Sequence, residues 1–435
     1  MKKTFCLLLI ACLLLCGCGK SQDAPGAAEA PTQESSTSIL LQGESAEIRG
    51  GGAKAEGCVV TVSTVGSYRL SGELNNGQIV VDTGESAVDV TLILDGVSVS
   101  NPAGPALWVR QAKNVHVQLA AGSENLLVSG TEADAAALDD SRSGAALFAE
   151  DDLFLEGEGS LTVRGYLNNG IACKDDLKIK GGRLDVLGAN NGLRASESLT
   201  VSGGELSVTA GNDGLKTSSA DKEGKGYIEI SGGSLTVRSG GDAVDAVTEL
   251  RISGGEIRTE TRQDQLGSAS RKGLKADQLV EISGGTLTLS ADEDAIHSDG
   301  QVRMSGGEAV ILATTGIQAG VTGSGAGDIL LSGGTLRIAA VKQALKAEGA
   351  ISANNELLAL CSSDKQADPQ AGGQAWVRCS VNGSAGDVVR VGTGEEGFSS
   401  PLSFKLVLYS SASLEPGESV SITVGEQSHS AAARG

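Results

Sequence analysis

Residues 281–298 read EISGGTLTLSADEDAIHS and contain the pattern that organises the middle of the chain. On both sides of Ser-Gly-Gly, apolar residues alternate with polar ones, which is the two-residue period of a β-strand. A third short strand follows, centred on Ile296. The stretch therefore predicts three short strands separated by corners of small residues.

This pattern recurs along the sequence. The apolar centre of the third strand falls at Ile171, Leu193, Leu215, Val244, Leu274, Ile296, Ile317 and Leu345, with spacings of 22, 22, 29, 30, 22, 21 and 28 residues. The basic unit is thus about 22 residues, and the longer spacings contain insertions. Such a unit cannot bury its inner face alone and must stack on its neighbours. We therefore predict an all-β chain that forms a right-handed parallel β-helix. A propeller, the alternative, needs four strands and roughly forty residues per blade.

The segments outside the repeats have different compositions. We expect a signal peptide at 1–17, a lipidated cysteine and flexible tether at 18–38, a β lead-in at 39–129, the parallel β-helix at 130–355 and a small β cap at 356–435. Lys2 and Lys3 precede a short apolar run, and Leu15-Cys16-Gly17-Cys18 resembles a lipobox. Cleavage before Cys18 would give an exported lipoprotein that is anchored to the membrane at the cell surface. An ordinary signal peptide that is cleaved nearby is the alternative.

Charge and cysteine content narrow the possible partners. The formal net charge is −20, which argues against nucleic acid and against a polybasic membrane patch. It fits a solvated extracellular surface that binds cations, and we expect a monomer. Cys361 and Cys379 lie close in sequence and could form a disulfide.

The motifs resemble a known bacterial family. The stretches GSYRLSGELNNGQIVVD, NDGLKT, GGDAVDAV, KGLKA and SADEDAIHS, together with the lipobox, are similar to exported "carbohydrate-binding domain-containing" β-helix proteins. This resemblance implies a right-handed parallel β-helix that binds plant-type polysaccharide, including acidic sugars, and carries calcium. The fold is also similar to pectate lyases that use calcium and a lysine base, although cleavage is not implied.

Stacked rungs place equivalent residues in ladders about 4.8 Å apart. One residue after each apolar centre, the side chain should point outward, and this outward ladder is Ala172, Arg194, Lys216, Asp245, Lys275, His297, Gln318 and Lys346. Its cationic members, with His297 predicted to be solvated, are the candidates for sugar binding: Arg194, Lys216, Lys275, His297 and Lys346. A plain stack of surface salt bridges is the alternative.

A second ladder lies at the corner two residues before each apolar centre and contains Asn169, Asn191, Asp213 and Asp242. Asn and Asp suit tight corners, which is the simplest explanation. Stacked carboxylates repel one another unless a cation neutralises them, and calcium prefers carboxylate oxygens. We therefore predict a calcium site at Asp213, Asp242 and Asp245, and a weaker second one at Asp292 and Asp294.

Three functions remain open. The main hypothesis is a calcium-bearing surface lipoprotein that binds acidic or plant-type polysaccharide. The second is a calcium-dependent polysaccharide lyase whose base would be Lys275, Lys272 or Lys216, although Asp245 should raise rather than lower the pKa of nearby lysines. The third is a structural or adhesive stalk. Trp108 and Trp376 lie outside the regular repeats, so cap packing is the simplest role for both.

Overall fold

The structure is a computed structural model that describes residues 37–84, 88–135, 144–262, 270–321, 326–392 and 397–435. The predicted signal peptide, Cys18 and nearly all of the tether lie outside the described residues. The last two residues of the predicted tether, Thr37 and Ser38, belong to the first strand. Within the part of the chain that is described, no helix is long and apolar enough to cross a membrane.

The strands of the first third precede the regular repeats, and one short helix follows them. They are β1 Thr37–Gly43, β2 Ala46–Arg49, β3 Ala53–Glu56, β4 Val59–Val62, β5 Gly66–Leu74, β6 Gln78–Asp82, β7 Asp89–Asn101, β8 Leu107–Gln111, β9 Asn114–Leu119, β10 Glu124–Ser129 and α1 Glu132–Ala135.

The strands of the middle are mostly three to six residues long, as the repeat predicts. They are β11 Ala145–Ala149, β12 Asp152–Gly157, β13 Ser160–Gly165, β14 Asn169–Cys173, β15 Asp176–Ile179, β16 Arg183–Gly188, β17 Leu193–Ala195, β18 Ser198–Val201, β19 Glu205–Ala210, β20 Leu215–Thr217, β21 Tyr227–Ile230, β22 Ser234–Ser239, β23 Val244–Ala246, β24 Glu249–Ile252, β25 Glu256–Thr261, β26 Leu274–Ala276, β27 Leu279–Ile282, β28 Thr286–Ser290, β29 Asp294–Ser298, β30 Gln301–Met304, β31 Glu308–Ala319 and β32 Ile329–Ala347.

The remaining strands form the C-terminal region. They are β33 Ile351–Ser363, β34 Trp376–Gly383, β35 Val388–Val391, β36 Phe398–Ser399, β37 Phe404–Ser410, β38 Ser419–Val424 and β39 Gln427–Ala432.

The pairing of these strands defines a parallel β-helix. Through the regular repeats each strand pairs in parallel with the strand three places further on, so three strands complete one rung. The predicted register is confirmed residue by residue: Leu193 pairs with Leu215, which pairs with Val244, which in turn pairs with Leu274. These centres, like those of the other rungs, are buried in one continuous aliphatic core. The hydrophobic effect over this stacked core holds the rungs together.

The Ser-Gly-Gly corners allow the rungs to stack this closely. Gly233 has a φ of 82°, and a Cβ at this position would lie 2.7 Å from the carbonyl oxygen of Gly204 in the preceding rung. Only glycine adopts that backbone conformation and fits that gap without strain. The recurring Gly-Gly pair is therefore a consequence of rung spacing.

The coil begins before the regular repeats. In the predicted lead-in, β5 pairs in parallel with β7, and β7 pairs in parallel with both β9 and β10. β10 then pairs in parallel with β13. Strand pairing is thus continuous across residue 129, and the lead-in supplies additional rungs of the same coil.

The C-terminal end changes to antiparallel pairing. β33 is parallel to β32 on one side but antiparallel to β37 on the other, and a four-stranded sheet of β36, β35, β38 and β39 follows. A second hydrophobic core, which includes Val407 and Ile422, packs within this region. The antiparallel strands protect the last edge of the coil, as a cap should.

A disulfide between Cys361 and Cys379, which the sequence leaves open, does not form, because both are free thiols. Cys361 pairs with Leu408 and Cys379 with Val407, on opposite sides of β37. The two cysteines are therefore separated by a whole strand, or about 9.6 Å. Cys361 also belongs to the core of the coil, whereas Cys379 belongs to the core of the cap.

The insertion at 218–226 is fastened to earlier rungs by ion pairs. The Nζ of Lys225 lies 2.9 Å from Glu197 and 3.1 Å from Asp176, and Lys222 also binds Glu197. These pairs hold the pKa of Glu197 below its usual value, chiefly through the hydrogen bonds from Lys222 and Lys225.

Candidate functional site

The outward ladder runs along the third strand of every rung, as predicted. Consecutive members pair directly, for example Lys275 with His297 and Gln318 with Lys346. The register also extends the ladder beyond Ala172, through Phe148 and Trp108 to Val80. We call this complete row, from Val80 to Lys346, the outward ladder from here on.

A charged cluster occupies the middle of the outward ladder. The Nζ of Lys216 lies 2.5 Å from Asp213 and 2.9 Å from Asp245. The Nζ of Lys275 lies 2.8 Å from Asp245 and 3.6 Å from Asp242. The two ammonium groups and three carboxylates thus form a single network with one negative charge in excess.

Burial and charge act against each other in this cluster. Burial raises the pKa of Asp245, which is 7% exposed, but Lys216 and Lys275 outweigh it and hold that pKa below its usual value. In Asp213 burial prevails, and the pKa is raised despite Lys216. Burial likewise disfavours the charged form of both lysines, but the aspartates outweigh it and raise their pKa values. Lys216 and Lys275 are therefore held protonated.

The corner ladder is a chain of hydrogen bonds between side chains and the backbone. Oδ1 of Asn191 accepts the amide hydrogen of Asp213 at 3.2 Å, Oδ1 of Asp213 accepts that of Asp242 at 2.9 Å, and Oδ1 of Asp242 accepts that of Lys272 at 2.7 Å. Each acceptor satisfies a donor of the next rung at a turn where no strand partner exists. The Asn and Asp residues therefore have a structural role at these corners, whatever else they bind.

The three predicted calcium ligands come together. Carboxylate oxygens of Asp213, Asp242 and Asp245 lie within 4.8 Å of one another, a grouping that matches calcium's preference for several carboxylate oxygens. One oxygen each of Asp213 and Asp242 is already engaged with the backbone, and the ammonium groups of Lys216 and Lys275 contact the others. The donor set fits calcium, and a bound ion would have to share these carboxylates with the lysines.

The predicted second calcium site does not assemble among the described residues. Asp292 pairs with Arg271 at 3.3 Å, whereas Asp294 binds Nδ1 of His297 at 2.8 Å. The prediction that His297 is solvated is wrong, since the residue is 7% exposed and lies between Asp294 and Asp299. Neighbouring acidic side chains cover a position that the strand period alone marks as outward.

The exposed cations lie towards the two ends of the cluster. Arg194 is exposed and has no ion-pair partner in the described ranges, while Lys346 is exposed and donates to Gln318 at 3.0 Å. Beyond His297, a cavity of about 490 Å³ opens over the outward ladder. Its lining includes four lysines, Lys272, Lys342, Lys346 and Lys365, and two acids, Glu293 and Asp294. We call this the lysine pocket. Sequence reasoning missed Lys342 and Lys365 because they precede and follow the last regular third strand.

Sequence reasoning also misplaced Trp108. It lies on the outward ladder beside Phe148, and both side chains are half-buried rather than packed in a cap. The 40-residue interval from Leu107 to Leu147 hid the repeat. The matching alternation of Leu107-Trp-Val109 and Leu147-Phe-Ala149 was the available signal.

Comparisons with known proteins identify the family. The profile of the Carbohydrate-binding domain-containing protein family matches residues 56–320. The chain belongs to this family. A Carbohydrate-binding domain-containing protein of Acetivibrio thermocellus is 35% identical over 127 residues, which are 29% of this chain and 44% of that relative. The match thus spans less than half of the relative's length. A solved structure, described as the polysaccharide lyase-like protein from C. thermocellum in a gadolinium derivative, is 32% identical with a TM-score of 0.49. The structural match covers 52% of this chain and 91% of the chain in that solved structure.

Proposed function

We propose that this protein binds polysaccharide of the acidic or plant type along the outward ladder. The observation that carries the proposal is the lysine pocket, which concentrates cations on a chain whose formal net charge is −20. A local positive field on an acidic surface attracts carboxylates, and lysine ammonium groups donate hydrogen bonds to them. Lys342 and Lys365 are exposed, and neither has an ion pair in the described part of the chain.

The fold suits a linear polymer. Parallel rungs repeat the same outward position about every 4.8 Å, so successive sugar residues of one chain meet successive side chains. Arg194 and Lys346 are exposed on this ladder, whereas Lys216 and Lys275 are half-buried and paired with aspartates. We therefore assign direct contact with sugar to Arg194, Lys346 and the lysine pocket, and a supporting role to the paired lysines and His297.

Calcium binding at Asp213, Asp242 and Asp245 is part of the proposal. The excess negative charge of the cluster and its grouped oxygens support it. When bound, the ion would offer positive charge to a sugar carboxylate. Corner hydrogen bonds hold the carboxylates of Asp213 and Asp242 in place, and Lys216 and Lys275 hold that of Asp245.

The anchor is likewise proposed. The lipobox-like sequence ending at Cys18 supports a lipidated, exported protein at the cell surface, with residues 19–36 as its tether. A polymer-binding coil held near the membrane would retain extracellular polysaccharide.

A binding experiment with matched lysine variants tests this function. We expect wild-type protein to bind polygalacturonate in affinity gel electrophoresis, and K342A/K346A/K365A to lose at least about tenfold in affinity. The control K54A/K113A/K405A removes three exposed lysines elsewhere, changes the net charge equally and should bind like wild type. Equal losses in both variants, or no binding by wild type with or without calcium, would contradict the proposal.

The same samples address calcium and cleavage. Titration calorimetry with calcium alone should show binding that D245N weakens, and chelator should weaken binding of polygalacturonate. The raised pKa values of Lys216 and Lys275 disfavour either residue as a base, and the third candidate, Lys272, is paired with Glu293 at 3.3 Å. We therefore expect no unsaturated product in ultraviolet absorbance. Product formation by wild type would establish the lyase alternative instead.

A further inference from the structure

Lys216 and Lys275 contact the oxygens that a bound cation would need. The corner hydrogen bonds engage Oδ1 of Asp213 and Oδ1 of Asp242, which leaves four carboxylate oxygens in the cluster. Lys216 contacts two of them, Oδ2 of Asp213 at 2.5 Å and Oδ2 of Asp245 at 2.9 Å. Lys275 contacts the other two, Oδ1 of Asp245 at 2.8 Å and Oδ2 of Asp242 at 3.6 Å. A metal ion and the two ammonium groups therefore compete for the same oxygens.

Exchange of the two ammonium groups for one calcium ion preserves the charge of the cluster. Three carboxylates with two ammonium groups carry one negative charge, and so do three carboxylates with one Ca²⁺. If both lysines stayed in place, the ion would leave one positive charge among three buried carboxylates, with like charges a few ångströms apart. Such crowding of cations is costly in a desolvated site, so the charges favour exchange over sharing.

Both lysine side chains can leave the cluster without movement of the backbone. They lie on the outward ladder, and their side chains are 29% and 22% exposed, whereas the three aspartates are buried. Strand pairing holds the backbone of β20 and β26 on both sides. A lysine has a flexible four-carbon stem, so a change of side-chain rotamer is enough to turn its ammonium group towards solvent.

The position of these lysines gives the exchange a consequence for binding. One rung after another, the outward ladder runs through Arg194, Lys216, Asp245, Lys275, His297, Gln318 and Lys346. Its exposed cations, Arg194 and Lys346, are six rungs or about 29 Å apart. Lys216 and Lys275 lie between them, and their ammonium groups are engaged by aspartates. Released lysines would therefore supply positive charge to the middle of the ladder.

We propose that Lys216 and Lys275 leave the three aspartates when calcium binds there, and that both ammonium groups then contact the bound polysaccharide. The inference rests on the proposed function and deepens it, because it makes the two lysines the link between calcium binding and polymer binding. Such a link is reciprocal, so acidic polymer should also tighten calcium binding.

Titration calorimetry with calcium alone tests the competition. We expect K216M/K275M to bind calcium at least about fivefold more tightly than wild type, because no ammonium group competes for the oxygens. The matched control is K178M/K225M. Lys178 and Lys225 are 28% and 32% exposed and share Asp176, at 3.4 and 3.1 Å, away from the outward ladder. This control changes the net charge equally and should bind calcium like wild type.

Polymer binding tests the release of the lysines. Saturating calcium should raise the affinity of wild type for polygalacturonate, and this gain should exceed that of K216M/K275M by at least about fivefold. K178M/K225M should gain as much as wild type. Because every protein meets the same calcium-treated polymer, an effect of calcium on the polymer itself cancels in the comparison, and thermal melting with calcium checks that the variants fold.

Amine labelling of wild type, read by mass spectrometry, needs no variant. Exposed amines react with the label more readily than buried, ion-paired ones. Addition of calcium without polymer should therefore raise the labelling of Lys216 and Lys275 severalfold. Lys178 and Lys225, which are similarly buried and paired, should react at the same rate with and without calcium.

The outcomes separate this inference from the proposed function. If calcium binds wild type but the labelling of Lys216 and Lys275 does not rise, the ion shares the carboxylates with the lysines and the inference is overturned. Equal calcium affinities of wild type and K216M/K275M would overturn it as well, while the proposed function stands. If wild type binds polygalacturonate neither with nor without calcium, the proposed function itself fails.

Discussion

At the scale of the residue, charge pairing fixes which side chains remain free to bind. Lys216 and Lys275 are locked between aspartates, whereas Lys342 and Lys365 have no ion pair in the described ranges. The same principle applies to Glu197, which fastens an insertion by binding Lys222 and Lys225. Such pairs at partly exposed positions are individually weak, but they respond to pH.

We expect E197Q to reduce the acid sensitivity of the fold. Because the folded pKa of Glu197 lies below its usual value, its contribution is present above the unfolded pKa, about 4.3, and is lost as pH falls through the folded pKa. The Tm of E197Q should thus lie below that of wild type at pH 7, and the difference should shrink towards pH 3. The control E223Q changes an exposed acid in the same insertion and should match wild type at both pH values. A constant difference for E197Q would contradict the ion-pair explanation.

At the scale of the element, the corner ladder ties each rung to the next where strand pairing stops. Asn191 accepts the amide hydrogen of Asp213, and Asp213 accepts that of Asp242. The sequence indicates the ladder but not this use of it, because a run of Asn and Asp fits a metal cage and a hydrogen-bonded corner equally well.

Removing one corner acceptor should destabilise the coil. In N191A the buried amide of Asp213 loses its partner, and we expect the free energy of unfolding to fall by about 1–3 kcal/mol. Its neighbour Asn190 contacts the side chain of Asn168 and is half-buried, so N190A should cost clearly less. Chemical denaturation followed by circular dichroism measures both, and equal losses would show that the backbone bond is unimportant.

At the scale of the whole molecule, β37 pairs with β33 in the antiparallel direction and so terminates the stack of parallel rungs. Without β37, β33 would expose unpaired backbone groups along one edge, which favours self-association. Trp376 lies in this region, in β34, and is buried there, so the packing role expected for it matches its position.

Truncation should expose this edge. A chain of residues 37–363 should elute as larger, concentration-dependent species in size-exclusion chromatography with light scattering, compared with a chain of residues 37–435. The cap's own core, which includes Val407 and Ile422, is lost together with the protecting strands. Identical masses for both chains at all concentrations would show that the cap does not protect the edge.

The sequence predicts more of the fold than of the candidate functional site. The repeat period fixes the register, since Leu193, Leu215 and Val244 had to stack for the core to close. Side-chain direction follows from the same period, but exposure does not: His297 points outward and is still buried by Asp294 and Asp299. Exposure depends on which neighbouring side chains cover a position, and for His297 these come from the two ends of its own strand. Trp108 was missed for a simpler reason, an interval too long for the repeat to be recognised.

The stacking of interchangeable rungs also has an evolutionary consequence. Where the unit is 22 residues, as from Leu193 to Leu215, loss or duplication of one unit's coding sequence joins equivalent positions and leaves every ladder in register. Only neighbouring rungs touch, so the rest of the coil is undisturbed. Each such event would lengthen or shorten the outward ladder by one step of about 4.8 Å. The length of the coil, and with it the length of polymer that it could contact, can therefore change during evolution in whole repeat units.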